Sequence, residues 1–541
     1  MKNILNVMLI TLLTLSLCLS CKVADKGSVT TQTATITQNQ TETETTTTTV
    51  AKEVTDDVKI TFSDGKVTAS SFNGVEIDGE NVSITASGTY ILSGQSDNGS
   101  VKVKKGVTGV TLVLNGLYLT ANDTAPIVCA KQSEVDIIVQ EGTVNTLTDS
   151  ANNNDENGNV NAENAVIKLK DGSKVVISGP GTLNIQANGK NGIKSGTDDA
   201  SLTIREVTLN INAPVNDAIN AETVLKLESG TLLINAGDDA IHSDYTLNIG
   251  CENATGPNIT IDSCNEGLEG AVVNIYSGNI SINATDDCIN AANSDLNRFD
   301  FAINIYGGTI NAFTTEGDGL DSNGDLNIYG GNITVWSANT SDNEPLDADG
   351  TITISGGSVL ASGGSSGMGV NIVANQPCVS FSSTSEMGMP SERQPIQQEG
   401  EQMPDFNKGE KPNFENQDMS KFKGGRAIGF GGGATLLSQG SSFTITDSDG
   451  NTLYTANATC ASSYVFYSSE SLLPDSIYTL TSGENMRDST ALSGSISTGM
   501  GGFGGQMPNG SAPPEMMQGG FDGQTPPDWQ NGNPPAMPNE G

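Results

Sequence analysis

Seven times between Asn191 and Asp347 the chain returns to one four-residue pattern: an acid or amide, a small residue or proline, an Ile or Leu, and a polar or charged residue. The occurrences are Asn191-Gly-Ile193-Lys194, Asp217-Ala-Ile219-Asn220, Asp239-Ala-Ile241-His242, Glu266-Gly-Leu268-Glu269, Asp287-Cys-Ile289-Asn290, Asp318-Gly-Leu320-Asp321 and Glu344-Pro-Leu346-Asp347. The aligned apolar residues stand 26, 22, 27, 21, 31 and 26 positions apart. A repeat of that length is one structural unit that cannot bury its own apolar side and must stack on its neighbours. Between the repeats lie short alternating runs such as Leu202-Thr-Ile204, Thr208-Leu-Asn-Ile-Asn-Ala213 and Leu326-Asn-Ile-Tyr329, separated by Gly, Asn and Asp. Such runs read as strands of three to six residues joined by turns. About three strands per repeat predict an all-β fold, a right-handed parallel β-helix, with the Ile/Leu ladder pointing inward. A content of 35% hydrophobic and only 5% aromatic residues suits such a thin core.

Stacking gives the polar positions of the pattern their chemistry. Equivalent residues of successive coils lie about 4.8 Å apart, so acids at one position form a column. At that distance two unit charges repel by about 3–4 kcal/mol at an effective dielectric near 20. Between Gly196 and Cys378 the only Lys or Arg residues are Arg205, Lys226 and Arg298. The expected counter-charge is therefore a hard divalent cation. Ca²⁺ takes six to eight carboxylate, amide and carbonyl oxygens with tolerant geometry. The ladder offers Asp217, Asn220, Asp239, Glu266, Glu269, Asp287, Asn290, Asp318, Asp321, Asp347 and Asp349 as ligands, and the small residue of each pattern is expected to leave a carbonyl accessible. Acids are densest from Glu316 to Asp349. Turn formation alone accounts for one Asp per coil but not for Glu266 and Glu269, since Glu is a poor turn former.

The remaining features bound the function. A net charge of −38 with five Arg excludes a phosphate-clamping, nucleic-acid-binding face. The single histidine, His242, excludes a His-rich zinc site and reads as an outward rung residue. Of the cysteines, Cys288 occupies a packed small-residue position, while Cys251 and Cys264 are able to pair in an oxidising compartment. Tyr276, Tyr306, Tyr329 and Trp336 form either a sugar-stacking strip or an aromatic stack that closes one side of the helix.

The flanks place the chain outside the cytoplasm. Residues 1–21 have the apolar run and short length of a signal peptide. Leu19-Ser20-Cys21 resembles the end of a bacterial lipoprotein signal, with Cys21 as the lipidated residue, although Cys18 stands where Leu is usual; the alternative is simple secretion. Residues 22–56 are a Thr-rich tether, 57–380 the β-helix, 381–427 a low-complexity linker, 428–495 a small β segment and 496–541 a Gly/Pro/Met-rich tail, the ends reading as disordered.

Several segments, in this order along the chain, resemble the secreted clostridial-type carbohydrate-binding β-helix proteins. They are Gly88-Thr-Tyr-Ile-Leu-Ser-Gly94, Val110-Thr-Leu-Val-Leu-Asn-Gly116, Glu141-Gly-Thr-Val-Asn-Thr-Leu-Thr148, Gly317-Asp-Gly-Leu-Asp-Ser-Asn-Gly324, Ile354-Ser-Gly-Gly-Ser-Val359 and Ile445-Thr-Asp-Ser-Asp-Gly-Asn-Thr-Leu453. The resemblance implies a pectate-lyase-like fold, Ca²⁺ bound along the helix, and binding of cellulose-like or acidic sugars such as polygalacturonate without lyase activity. It implies Asp318 and Asp321 as Ca²⁺ ligands, with Asp217, Asp239, Asp287 and Asp347 at matching rungs. The linker interrupts the family pattern and leaves open whether the last β segment packs on the helix end. The expectation is a monomeric, surface-tethered or secreted polysaccharide binder, attached to a membrane only through an N-terminal lipid. Two other readings remain: a structural adhesin, or a pectate lyase or polygalacturonase-like enzyme. Asp286-Asp287 resembles the paired acids of such hydrolases, but the Gly-His-Gly and Arg-x-Lys segments that accompany them are absent.

Overall fold

The computed structural model describes residues 57–338 except 64 and 297, 343–363, 371–383 and 435–497. Each repeat folds as one coil of three short strands. In one coil these are Asn191–Ser195, Ser201–Ile204 and Thr208–Ala213; in the next, Ile219–Ala221, Val224–Leu227 and Thr231–Ala236. Coil lies on coil in parallel register, with Ile193 opposite Ile219, Leu202 opposite Leu225 and Leu209 opposite Leu232. The result is a parallel β-solenoid of about 10 turns with three faces.

The alternation within each strand decides what points where. In Thr208–Ala213 Leu209, Ile211 and Ala213 are buried, while Thr208, Asn210 and Asn212 face out. A fully buried Leu or Ile is worth about 1.5–3 kcal/mol, and every coil repeats the same inward set, so the core is a continuous apolar column. The outward asparagines form their own ladders. Asn210 donates to Asn184 at 2.8 Å, Asn274 to Asn248 at 3.0 Å, Asn304 to Asn274 at 3.0 Å and Asn327 to Asn304 at 3.1 Å. Each amide has both a donor and an acceptor, so stacking at the coil spacing satisfies both along the row.

The C-terminal segment answers the question the linker raised. Tyr464–Ser469 runs antiparallel to Ser358–Gly363 and Asn371–Ser382, and Leu492–Ser497 runs antiparallel to Asn371–Ser382. These strands cover a solenoid edge that would otherwise template association. A separate antiparallel sheet of Thr452–Asn457, Ser442–Asp447, Ile477–Ser482 and Asn485–Thr490 packs against the outside of the last coils. Its Phe443, Ile445 and Leu480 share a second core with Trp336, Leu360 and Phe381.

Candidate metal and carbohydrate site

The seven-fold pattern is a register-true column on the first face. Ile193, Ile219, Ile241, Leu268, Ile289 and Leu320 pair rung to rung, and a bridge joins Leu320 to Leu346. Backbone bonds run through it without interruption. The N–H groups of Gly192, Ala218, Ala240, Gly267, Cys288 and Gly319 donate to the carbonyls of Asp217, Asp239, Glu266, Asp287, Asp318 and Glu344 in the following coil. Those of Ile193, Ile219, Ile241, Leu268, Ile289 and Leu320 donate to the carbonyls of Ala218, Ala240, Gly267, Cys288, Gly319 and Pro345. This corrects one expectation: the small residues do not leave a free carbonyl, because the parallel ladder takes it. Their size has another cause. A Cβ on Gly192 would lie 2.5 Å from Ala218 O, and one on Gly319 2.5 Å from Pro345 O.

Side-chain oxygens are therefore the donors that the backbone ladder leaves least engaged. The first acid of a pattern uses one carboxylate oxygen to accept the N–H of its equivalent in the next coil, as Asp217 does from Asp239 at 3.3 Å, Asp287 from Asp318 at 2.6 Å and Asp318 from Glu344. The polar residue at the other end of the pattern lies beside it. Asn220 Nδ2 donates to Asp217 Oδ2 at 2.6 Å, and Asn290 Nδ2 to Glu266 Oε2 at 2.9 Å. The Oδ1 atoms of Asn220 and Asn290 are buried without a hydrogen-bond partner.

Two groups of three ligand-type side chains have donor atoms within 4.8 Å of one another: Asp239, His242 and Glu269, and Asp318, Asp321 and Asp347. In the first, His242 Nδ1 faces Asp239 Oδ2 at 3.2 Å and also Glu269 Oε2, while Nε2 faces Asp244 Oδ1 at 2.9 Å. Burial alone would lower the imidazole pKa, but hydrogen bonds to Asp239, Asp244 and Glu269 outweigh it and push it up to about 12. His242 is thus an imidazolium clasped by three carboxylates. The single outward histidine was legible in the sequence, but its clasp was not. Asp244 could have been found from strand periodicity, since residues two apart on a strand share a face.

In the second group no Lys, Arg or His forms an ion pair with Asp318, Asp321 or Asp347 among the described residues. Burial, then the Asp347 charge, raises Asp318 to about 6 against the bond from Glu344 N–H. Burial and the charges of Asp318, Asp347 and Asp349 raise Asp321 to about 6. Neighbours in the column follow, mainly through burial: Asp217 to about 6, Asp287 to about 7, and Glu266 and Glu344 to about 8. Partly buried oxygens that repel one another, with amide oxygens left unpaired nearby, make this a candidate metal-binding group of the all-oxygen kind that hard cations take.

The aromatic candidates separate. Tyr276, Tyr306 and Tyr329 stack ring on ring, with centroids 5.0 and 5.1 Å apart and interplanar angles of 5° and 12°. Their faces are largely spent on one another, leaving edges to solvent beside the Asn274–Asn304–Asn327 ladder. Trp336 does not join this strip. It is 3% exposed, on the third face, packed edge-on to Phe443 at 6.1 Å, because the C-terminal sheet covers that position. Cys288 is buried with its thiol pushed well up by desolvation, and Cys264 is a buried free thiol, so it forms no bond to Cys251. Cys21 lies outside the described residues.

Fold and site together define a parallel β-solenoid with an oxygen-rich column along one face. The family model described as carbohydrate-binding domain-containing protein matches residues 78–268 and 247–376, and the chain belongs to that family. A protein of Acetivibrio thermocellus described in the same words is 35% identical over 147 residues, 27% of this chain and 51% of that protein. The chain therefore spans about half the length of this relative. A solved structure described as the polysaccharide lyase-like protein from C. thermocellum, gadolinium derivative, shares 23% identity over 56% of this chain and 94% of that one, with a TM-score of 0.30.

Proposed function

We propose that this chain is an extracellular, surface-tethered carbohydrate-binding protein, lipidated at Cys21, that holds plant-type polysaccharide on a Ca²⁺-stabilised solenoid without cleaving it. The observation that carries the reading is the Asp318–Asp321–Asp347 group, three carboxylates within 4.8 Å of one another and without an ion-pair partner among the described residues, in a chain of a carbohydrate-binding family. A cation held there would neutralise the column and leave coordination positions for a uronate carboxylate, which lets an acidic protein hold polygalacturonate. Tyr306 and Tyr329, 45% and 46% exposed, with the amide ladder beside them, supply edges, hydroxyls and amides for the sugar hydroxyls of an acidic or cellulosic chain. Against catalysis stands the bonding of Asp287, whose carboxylate accepts the Asp318 N–H at 2.6 Å. It stands beside the anions of the column rather than beside a Lys or Arg base of the kind a lyase uses.

The test is retention of polygalacturonate and of cellulose by the chain, with and without EDTA, with an assay for unsaturated and reducing ends. Retention lost on chelation, with no product, is expected. Product formation would make the chain an enzyme, and retention indifferent to EDTA would remove the cation bridge.

A further inference from the structure

A half-open cleft of about 310 Å³ lies where the third face of the solenoid meets the C-terminal sheet. Its floor is two columns of outward side chains from three successive coils. Ser281, Asn311 and Thr334 form one, and Asn283, Phe313 and Trp336 the other. Its wall is the strand carrying Tyr454 and Asn457. In earlier coils the corresponding outward positions hold no aromatic residue: Asn210, Asn212 and Asn235 are polar and Leu233 is the aliphatic exception. The change to Phe313 and then Trp336 marks where the C-terminal sheet lands. The aromatic rings are held in place: Trp336 and Tyr454 both pack on Phe443, Tyr454 also packs on Tyr467, and the Tyr454 hydroxyl lies 3.4 Å from Thr334 Oγ1.

The chemistry of the lining is selective. In a chain of net charge −38 no charged side chain among the described residues lines this cleft. It combines the half-buried rings of Phe313 and Tyr454, with Trp336 almost wholly buried at its edge, and the exposed amides of Asn283, Asn311 and Asn457. Aromatic surfaces suit the C–H face of a pyranose, and an amide, both donor and acceptor, suits adjacent hydroxyls. A uronate carboxylate would be desolvated there without a cation to meet it. The volume is at the small end of ligand sites, and the cleft is half open to solvent. Tyr454 and Asn457 lie beyond the region matched by the family, so the cleft exists only where the C-terminal segment meets the family domain.

We propose that this cleft binds a segment of neutral oligosaccharide, separately from the acidic column. The proposal rests on the carbohydrate-binding reading but not on Ca²⁺. The chain has two tryptophans, so in a Trp529→Phe background Trp336 alone reports on the cleft. The full chain is titrated with cellopentaose, xylopentaose, mannopentaose and pentagalacturonate in EDTA, and Trp336 emission is followed. At least one neutral sugar is expected to change the emission saturably, with pentagalacturonate binding at least about tenfold more weakly. Asn311 and Asn457 are exposed, so an Asn311→Ala/Asn457→Ala variant is expected to melt like the parent yet lose at least about tenfold in affinity for that sugar. No response to any neutral sugar, an equal or stronger response to pentagalacturonate, or undiminished affinity in the double variant would overturn the proposal. Chelator-sensitive retention of polygalacturonate failing while the cleft still binds would sink the Ca²⁺ reading alone; the reverse would sink only the cleft.

Discussion

The column on the first face meets the same electrostatic difficulty in two places and meets it differently. Around Asp239 and Glu269 the outward residue is His242, in the same coil as Asp239 and in register with Glu269 of the next, and it touches both acids and Asp244 as an imidazolium. Further up, the same row holds Lys194, paired with Glu222 at 3.2 Å, in register with Lys168. Around Asp318 the row reads Asn290, Asp321 and Asp347, and the described residues provide no ion pair for the three acids of that group. The row thus passes from built-in cations to acids without an ion-pair partner among the described residues. One outward residue per coil decides which, while backbone, small residue and inward Ile or Leu stay the same.

The largest effect should come from withdrawing the cation proposed at the Asp318 group. One site at Ca²⁺ a thousandfold above its dissociation constant adds about 4 kcal/mol. EDTA is therefore expected to lower the melting temperature by several degrees, and Asp321→Ala to abolish the Ca²⁺-dependent increment. An unchanged melt in EDTA would erase the contrast. Next is the built-in cation. His242→Gln leaves Asp239, Asp244 and Glu269 without their partner and should cost about 3 kcal/mol in chelator, as breaking a buried ion pair does. Added Ca²⁺ should restore part of that loss, since the variant turns this stretch into one of the second kind. Urea denaturation with and without Ca²⁺ measures both, and a His242→Gln variant as stable as the parent in EDTA would show that the imidazolium does not hold the segment.

The two stretches also differ in pH window. Asp318 and Asp321, raised to about 6, and Asp287, raised to about 7, bind protons in the folded chain at pH values where the unfolded chain has lost them. Without metal, stability should fall as pH rises from about 4 to about 8. Saturating Ca²⁺ should flatten that fall. For His242 the folded value of about 12 lies above the ordinary imidazole value of 6.5. Its contribution is complete below pH 6.5 and declines as pH rises towards about 12, so the loss above pH 8 should persist in Ca²⁺ and vanish in His242→Gln. Denaturant midpoints across pH separate the windows; a fall between pH 4 and 8 that Ca²⁺ leaves intact would speak against an acid origin. The smallest effect concerns the tyrosines. Tyr306→Ala removes two stacked contacts and should cost about 1–2 kcal/mol. It should weaken polysaccharide retention several-fold, and retention equal to the parent would leave the stack a purely structural closure.

The solenoid was legible because its signal is local and repeated. Spacings of 21–31 residues between Ile or Leu residues translated directly into rung-to-rung pairs, and every aligned pair from Ile193 to Leu346 is observed. Of the candidate ligands, Asp239 with Glu269, and Asp318 with Asp321 and Asp347, come together. Asp217 with Asn220, and Glu266 with Asn290, form hydrogen-bonded pairs along the same column. Two errors share one cause. The carbonyls of the small residues looked available, and Trp336 looked like part of a tyrosine strip, because a repeat shows which residues align but not what covers them. The adjacent coil takes the carbonyls, and the C-terminal sheet covers the tryptophan.

What the residues alone determined is the coil: its length, its inward apolar column, and the placing of acids one above another, all consequences of a strand period of two and a fixed interstrand distance. Only the tertiary structure decided which acids received a counter-ion from the chain itself and which did not. It also brought the strand carrying Tyr454 and Asn457, more than a hundred residues away along the sequence from Trp336 and Asn311, onto the third face to make the cleft. Nearest-neighbour stacking is written in the sequence period; the docking of a non-repeating segment depends on complementary surfaces that no period encodes.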